Sequence, residues 1–212
     1  MYRLLVVFLL FLLLPFNLHA EEESPAYQLV ARGLDEVTEV FENNRDTYAT
    51  DPEAFYQRLA ASLEPYVDFR YISARVMGGR YFRAASPQQR SDFARVFQKT
   101  LVETFGQGLM NFDYQEFDLV YRPTPDRHEN QDTVELEVVA EDGTRYPLVF
   151  TLRNKDDQWQ IINLIVNGIN LGLTFNSQFD QAMRDQQRDF DQVIANWSPD
   201  QALDDIDEGE AE

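Results

Sequence analysis

The chain has 212 residues, 44% of them hydrophobic and 13% aromatic, which is enough for one domain with a sizeable core. It contains no cysteine, and this excludes disulfides, zinc-thiolate sites and thiol catalysis. Its 18 Lys and Arg are scattered and outnumbered by 37 Asp and Glu, giving a net charge of −19. That balance excludes a phosphate-neutralising nucleic-acid surface and disfavours a purely electrostatic hold on an anionic bilayer.

At the N-terminus Arg3 precedes the apolar run Leu4 to Leu14, and Asn17-Leu18-His19-Ala20 leads into three glutamates. This is the pattern of a signal peptide, residues 1–20, cleaved after Ala20. The run is shorter than the ~20 residues of a membrane-spanning helix. An uncleaved anchor is the alternative, because Leu18 stands where a small residue is usual before the cut. The main domain is expected over residues 21–198. Residues 199–212 form an acidic tail, with Asp200, Asp204, Asp205, Asp207, Glu208, Glu210 and Glu212 facing no basic partner in sequence; disorder is the expectation.

Helical spacing dominates the first half. Tyr27, Val30, Leu34, Val37 and Phe41 recur at steps of three and four until Asn43-Asn44 breaks the pattern. Asp51-Pro52 combines a capping carboxylate with a first-turn proline and opens a stripe of Phe55, Leu59, Leu63 and Tyr66. Ser86-Pro87-Gln88-Gln89 is a capping box, and it opens a long helix carrying Phe93, Phe97, Leu101 and Phe105. After Gly106 and Gly108 the period changes to two. Phe112 and Tyr114, then Phe117, Leu119 and Tyr121, then Val134, Leu136 and Val138 alternate with polar residues. Glu141-Asp142-Gly143-Thr144 is a hairpin turn, followed by Tyr146, Leu148, Phe150 and Leu152, a second turn at Asn154 to Gln158, and an apolar strand from Trp159 to Val166. A last helical region carries Phe175, Phe179, Met183, Phe190, Val193, Ile194 and Trp197. This order predicts an α+β fold: N-terminal helices packed on a curved antiparallel sheet of about four strands, with C-terminal helices, enclosing an apolar cavity.

Sixteen Phe and ten Tyr exceed what a small core needs, and Met77, Met110 and Met183 add adaptable side chains. Periodicity places Tyr66, Phe69, Ile72, Val76, Phe97, Leu101 and Phe105 inward from the helices, and Phe150, Leu152, Leu164, Val166, Ile169 and Leu171 inward from the sheet side. Ordinary core packing is the alternative for every one of them. The chemistry for an enzyme is thin. After cleavage the one remaining histidine is His128, in the polar run Pro125 to Asn130, and no nucleophile elbow, zinc-helix motif or phosphate loop occurs. Asp68 and Arg70 are read as a structural ion pair.

The stretch Glu64-Pro65-Tyr66-Val67-Asp68-Phe69-Arg70-Tyr71-Ile72, then Val76-Met77-Gly78, then Arg80 through Gln89, resembles the MlaC or toluene-tolerance family of Gram-negative bacteria. Gln89-Arg90, Phe93, Phe97, Leu101, Phe105-Gly106 and the run from Trp159 to Leu171 continue the likeness. Departures fall at Asn176, where the family often has Arg, at Gln186-Gln187-Arg188-Asp189, where a Gly-rich turn is common, and at Asn167, where an acidic residue is common. The resemblance implies a periplasmic, monomeric carrier with no cofactor and no catalysis, whose bound ligand is a diacyl phospholipid. It also implies two partners, an inner-membrane Mla ABC transporter complex and an outer-membrane lipoprotein-porin complex, between which lipid is shuttled to maintain outer-membrane asymmetry. A small-molecule enzyme on a cone-shaped α+β fold and a periplasmic chaperone are the competing readings.

Overall fold

A computed structural model describes residues 24–111, 114–120, 130–140 and 142–199. The expected signal peptide, Phe112, Tyr121, His128 and all of the acidic tail beyond Pro199 lie outside the described residues.

Helix α1 (Pro25–Asn43) starts where Ser24 Oγ accepts from the Tyr27 amide at 3.1 Å, with Pro25 at the first helical position, where its missing N–H costs nothing. The same hydroxyl donates to Asp132 at 2.8 Å, so the cap also ties α1 to the sheet. Ala26, Val30 and Phe41 face inward. A short α2 (Arg45–Thr50) leads to Asp51, whose carboxylate accepts from the Ala54 amide and starts α3 (Pro52–Leu63). Residues 66–68 are then extended along the sheet: Ile161 donates to the Tyr66 carbonyl, and Asp68 donates to the Ile161 carbonyl. Asp68 next caps α4 (Phe69–Ala84) through the Tyr71 amide at 2.9 Å. The expected capping box is complete, because Ser86 and Gln89 exchange side-chain bonds to each other's amides as α5 (Pro87–Asn111) begins.

Two helices depart from their sequence signals. Helix α5 runs through Gly106 and Gly108 instead of ending there. A Cβ at Gly106 would stand 3.0 Å from Leu59 Cδ2, so this glycine allows α3 to approach α5 closely. Helix α4 is kinked at Gly78, whose φ of 68° and ψ of 158° are accessible to almost no other residue. The kink leaves the Arg75 and Val76 carbonyls to Asn176 Nδ2, which reaches Val76 at 2.8 Å. A Cβ at Gly78 would meet that nitrogen at 3.0 Å. Gly78→Ala is therefore expected to lose ~1–3 kcal/mol of stability in urea unfolding. A loss under about 0.5 kcal/mol, the size of an ordinary surface substitution, would show that α4 can straighten.

The sheet has five antiparallel strands in sequence order: β1 (Tyr114–Val120), β2 (Gln131–Ala140), β3 (Arg145–Lys155), β4 (Gln158–Val166) and β5 (Ile169–Asn170). One more strand exists than the alternation predicted, because the two residues of β5 are too few to show a period. They are reached by a tight turn with Asn167 and Gly168 at φ 50° and 84°, matching the mirror-image turns that suit a twisted hairpin. Asp156 and Asp157 make the turn between β3 and β4 in the same way. Cross-strand partners Val134, Phe150 and Leu164, and Leu136, Leu148 and Val166, share one face of the sheet. A bulge between Thr151 and Leu152 puts Ile161 opposite Leu152 and so returns it to that face.

The C-terminal helical region is two helices, α6 (Leu171–Asp185) and α7 (Phe190–Ala195). Gln187 and Arg188 both take positive φ, Arg188 donates back to the Met183 carbonyl, and Asp189 caps α7. The fold is α+β, with helices on one face of an antiparallel meander.

Candidate functional site

The buried apolar residues divide into three clusters rather than one. The largest joins α4, α5, α6 and α7 around Phe93, Phe97, Phe175, Phe179 and Trp197, whose rings meet edge-on or tilted at centroid distances from 4.8 to 6.4 Å. A second joins α1, α3, α4 and α5 around Phe41, Phe55, Leu59, Phe69 and Val102. The third lies between α1 and the sheet, around Ala26, Val30, Val134 and Leu152.

Each cluster has a margin of apolar side chains that pack against it yet stay only half-buried, and the three margins join. Leu101 belongs to the margins of the first and second clusters. Phe150 at the edge of the third is the cross-strand partner of Leu164 at the edge of the first. Val67 at the edge of the second bridges Ile161 at the edge of the third. A domain of this size usually has one contiguous core. Here partly buried apolar side chains form a continuous link between three packed centres.

The thirteen residues placed inward from sequence divide accordingly. Val76, Phe97 and Leu171 are buried in the first cluster, Phe69 in the second and Leu152 in the third. Ile72, Leu101, Phe105, Leu164, Val166 and Ile169 are half-buried at the margin of the first cluster, and Phe150 at that of the third. Tyr66 stands apart from all three: its ring lies against Gly33 of α1 and its hydroxyl donates to Glu36 at 2.7 Å. Sequence reasoning missed Val67, Met110, Trp159 and Ile161, which also line the margins. Trp159 and Ile161 carried a readable signal, because they alternate with polar Gln158 and Gln160 ahead of the bulge.

Asp68 pairs with Arg153 of β3 at 3.1 Å and not with Arg70, which is a correction to the sequence reading. Adjacent residues at the start of a helix point in different directions, so the partner comes from across the fold. Arg153 also stacks on Tyr71, with its guanidinium carbon 4.0 Å from the ring centroid, and the trio clamps α4 to the sheet. Gln178 and the Trp197 indole nitrogen hold buried polar atoms without a hydrogen-bond partner. Among the described residues no group of three or more His, Asp or Glu is placed to hold a metal ion. No helix among them is long and apolar enough to cross a membrane.

The MlaC protein family matches residues 32–199. The chain belongs to the MlaC family. It is 32% identical over 190 residues to the toluene tolerance protein ttg2D of Pseudomonas putida, spanning 90% of this chain and 87% of that protein. It is 21% identical over 153 residues to the intermembrane phospholipid transport system binding protein MlaC of Haemophilus influenzae, 70% of each chain. Among solved structures, a phospholipid-binding protein of Ralstonia solanacearum in complex with a phospholipid superposes with a TM-score of 0.68. That alignment covers 89% of this chain and 98% of the other at 18% identity, and so establishes a shared fold. This MlaC-family chain thus has the expected helix-on-sheet architecture, with five strands.

Proposed function

We propose that the chain is a periplasmic phospholipid carrier that holds acyl chains along the joined margins of its three clusters. The observation that carries this reading is the continuity of that half-covered apolar lining. Acyl chains leave water with a gain of about 0.8 kcal/mol per methylene, so a carrier needs extended apolar wall more than precisely placed polar groups. We assign the wall to Ile72, Leu101, Phe105, Leu164, Val166 and Ile169, with Val76, Phe97, Leu152 and Leu171 packed behind it. The headgroup sits at the mouth in water. Catalysis plays no part in this function, and neither does a cofactor.

The Haemophilus relative's name, an intermembrane phospholipid transport system binding protein, supports the traffic of lipid between membranes, and the N-terminal pattern supports export. The chain is exported by its first twenty residues, works as a monomer, and exchanges lipid with an outer-membrane lipoprotein-porin complex and an inner-membrane Mla ABC transporter complex. The acidic tail keeps it soluble. Native mass spectrometry of protein taken from its own periplasm is expected to show a chain beginning at Glu21 with one or two diacyl phospholipids bound. Protein that is repeatedly empty and takes up no lipid from vesicles would overturn the proposal.

A further inference from the structure

Helix α4 is the basic element of an acidic protein. The whole chain carries −19, yet Phe69–Ala84 holds four arginines and no Asp or Glu. The kink at Gly78 turns the second half of this helix, and a cleft of about 320 Å³ opens there between α4 and α6, lined in part by Gly79, Arg80, Tyr81, Ser177, Asp180 and Arg184. Arg80 lies over the Tyr81 ring, its guanidinium carbon 5.2 Å from the centroid. Arg83 brings a guanidinium nitrogen to 3.0 Å from where a Gly79 Cβ would be.

The carboxylate in the cleft is already engaged. Asp180 accepts from the Tyr81 hydroxyl at 2.8 Å and pairs with Arg184. The Tyr81 bond, more than the arginines, holds its carboxyl below the ordinary range. Burial, and then the same bond, pushes the Tyr81 phenol up, while Arg80 and Arg188 pull it down, so both guanidinium groups are felt at this hydroxyl. Asp185 accepts from Gln181, Asp189 caps α7, and Asp191 accepts from Gln89. Among the described residues Arg80, Arg83 and Arg188 make no ion pair. Of the charged groups that line the cleft, Arg184 is matched by Asp180 and Arg80 is left over, so the lining itself carries one unbalanced positive charge.

We propose that the cleft between α4 and α6 is an oxyanion site that takes a phosphate group, either free or on a lipid headgroup at a membrane surface. The Arg80 guanidinium offers paired donors to a tetrahedral oxyanion and the Ser177 hydroxyl adds another, while Arg184, whose own donors go to Asp180 and Gln181, contributes charge from the facing helix. The volume holds such a group with several of its waters, at about 30 Å³ each. The repulsion of the whole molecule from anionic surfaces makes this contact local to one face. The site lies on the helical side and needs no lipid in the apolar lining, so it stands or falls separately from the carrier proposal.

Full-length mature protein would be titrated with inorganic phosphate against sodium chloride of equal ionic strength, and floated with phosphatidylcholine vesicles with and without phosphatidylglycerol. We expect saturable phosphate binding that Arg80→Gln/Arg184→Gln weakens at least tenfold; both side chains are exposed, so the melt should stay near wild type. Flotation with phosphatidylglycerol that free phosphate competes away would identify the headgroup as the source. Binding of phosphate alone would identify the free ion, and either result supports the site. Absence of saturable binding, or equal binding by the double variant, overturns it. Phospholipid co-purifying with the double variant at the wild-type level would leave the carrier reading untouched in every case.

Discussion

Leu101→Asp and Val166→Asp are expected to fold and melt cooperatively yet to purify without phospholipid. Both residues are half-buried: Leu101 stands where the first and second clusters meet, and Val166 lies across from Leu148 and Ile169 on the sheet. A carboxylate at such a position can draw water to itself when the lining is empty, so the folded state loses little. The acyl chains have no such escape. They would have to lie against a charge or admit the water that accompanies it, and that desolvation penalty of several kcal/mol falls on the complex alone. Phe97→Asp is the control. Phe97 is 0% exposed among the rings of Phe93, Phe175 and Trp197, so the same unpaired charge falls on the folded state and is comparable to a domain's whole stability of about 5–15 kcal/mol. Circular-dichroism melts with phosphorus quantification read both effects. If the two margin variants unfold as Phe97→Asp does, the margins are ordinary core. If they fold and still carry lipid, the acyl chains lie elsewhere.

The second large effect concerns stability rather than cargo. Phe93 is 0% exposed and its ring centroid lies 4.8 Å from that of Phe179, 5.3 Å from Trp197 and 5.9 Å from Phe97. Phe93→Ala removes three ring contacts at once and leaves a void between α5, α6 and α7. The expected loss is about 3–5 kcal/mol in urea unfolding, and a midpoint lower by roughly 10 °C or more at ~2–4 °C per kcal/mol for a chain of this size. Phe93 belongs to a packed centre and not to a margin, so below its melting temperature the variant should retain phospholipid. Loss of lipid with little loss of stability would reverse that assignment and move the binding surface into the aromatic cluster. A loss below about 1 kcal/mol would show that α7 and Trp197 close readily over the gap.

Much of the fold was legible in the sequence because local chemistry decides it. Asp51-Pro52 and Ser86-Pro87 start helices by satisfying free amides with their own side chains, and both do so in the structure; Ser24-Pro25, which was not among the expected helix starts, does the same. The alternation of Val134, Leu136 and Val138 with Leu148, Phe150 and Leu152 marks one wet and one dry face, and the pairing register keeps those residues together. Asn167-Gly168 is also a hairpin signal, since both residues tolerate positive φ.

The remainder depended on distant partners. The run from Phe69 to Ala84 does not disclose that Gly78 breaks it, because the freed carbonyls are taken by Asn176, almost a hundred residues away. The partner of Asp68 is Arg153 for the same reason: ion pairs form across space, and a neighbour in sequence such as Arg70 leaves the helix in another direction. Periodicity shows which side chains face inward. It cannot show whether they meet another layer or stop short of one. Phe97 and Leu101 lie on the same stripe of α5, and only the packing of the surrounding elements makes the first a fully buried core residue and the second a half-buried residue between two clusters. The sequence by itself thus determined most of the elements, the dry faces and the family likeness, whereas the tertiary structure decided which residues of those faces are fully buried and which stay half-buried, because burial depends on the distance between layers and that distance is written in no single segment.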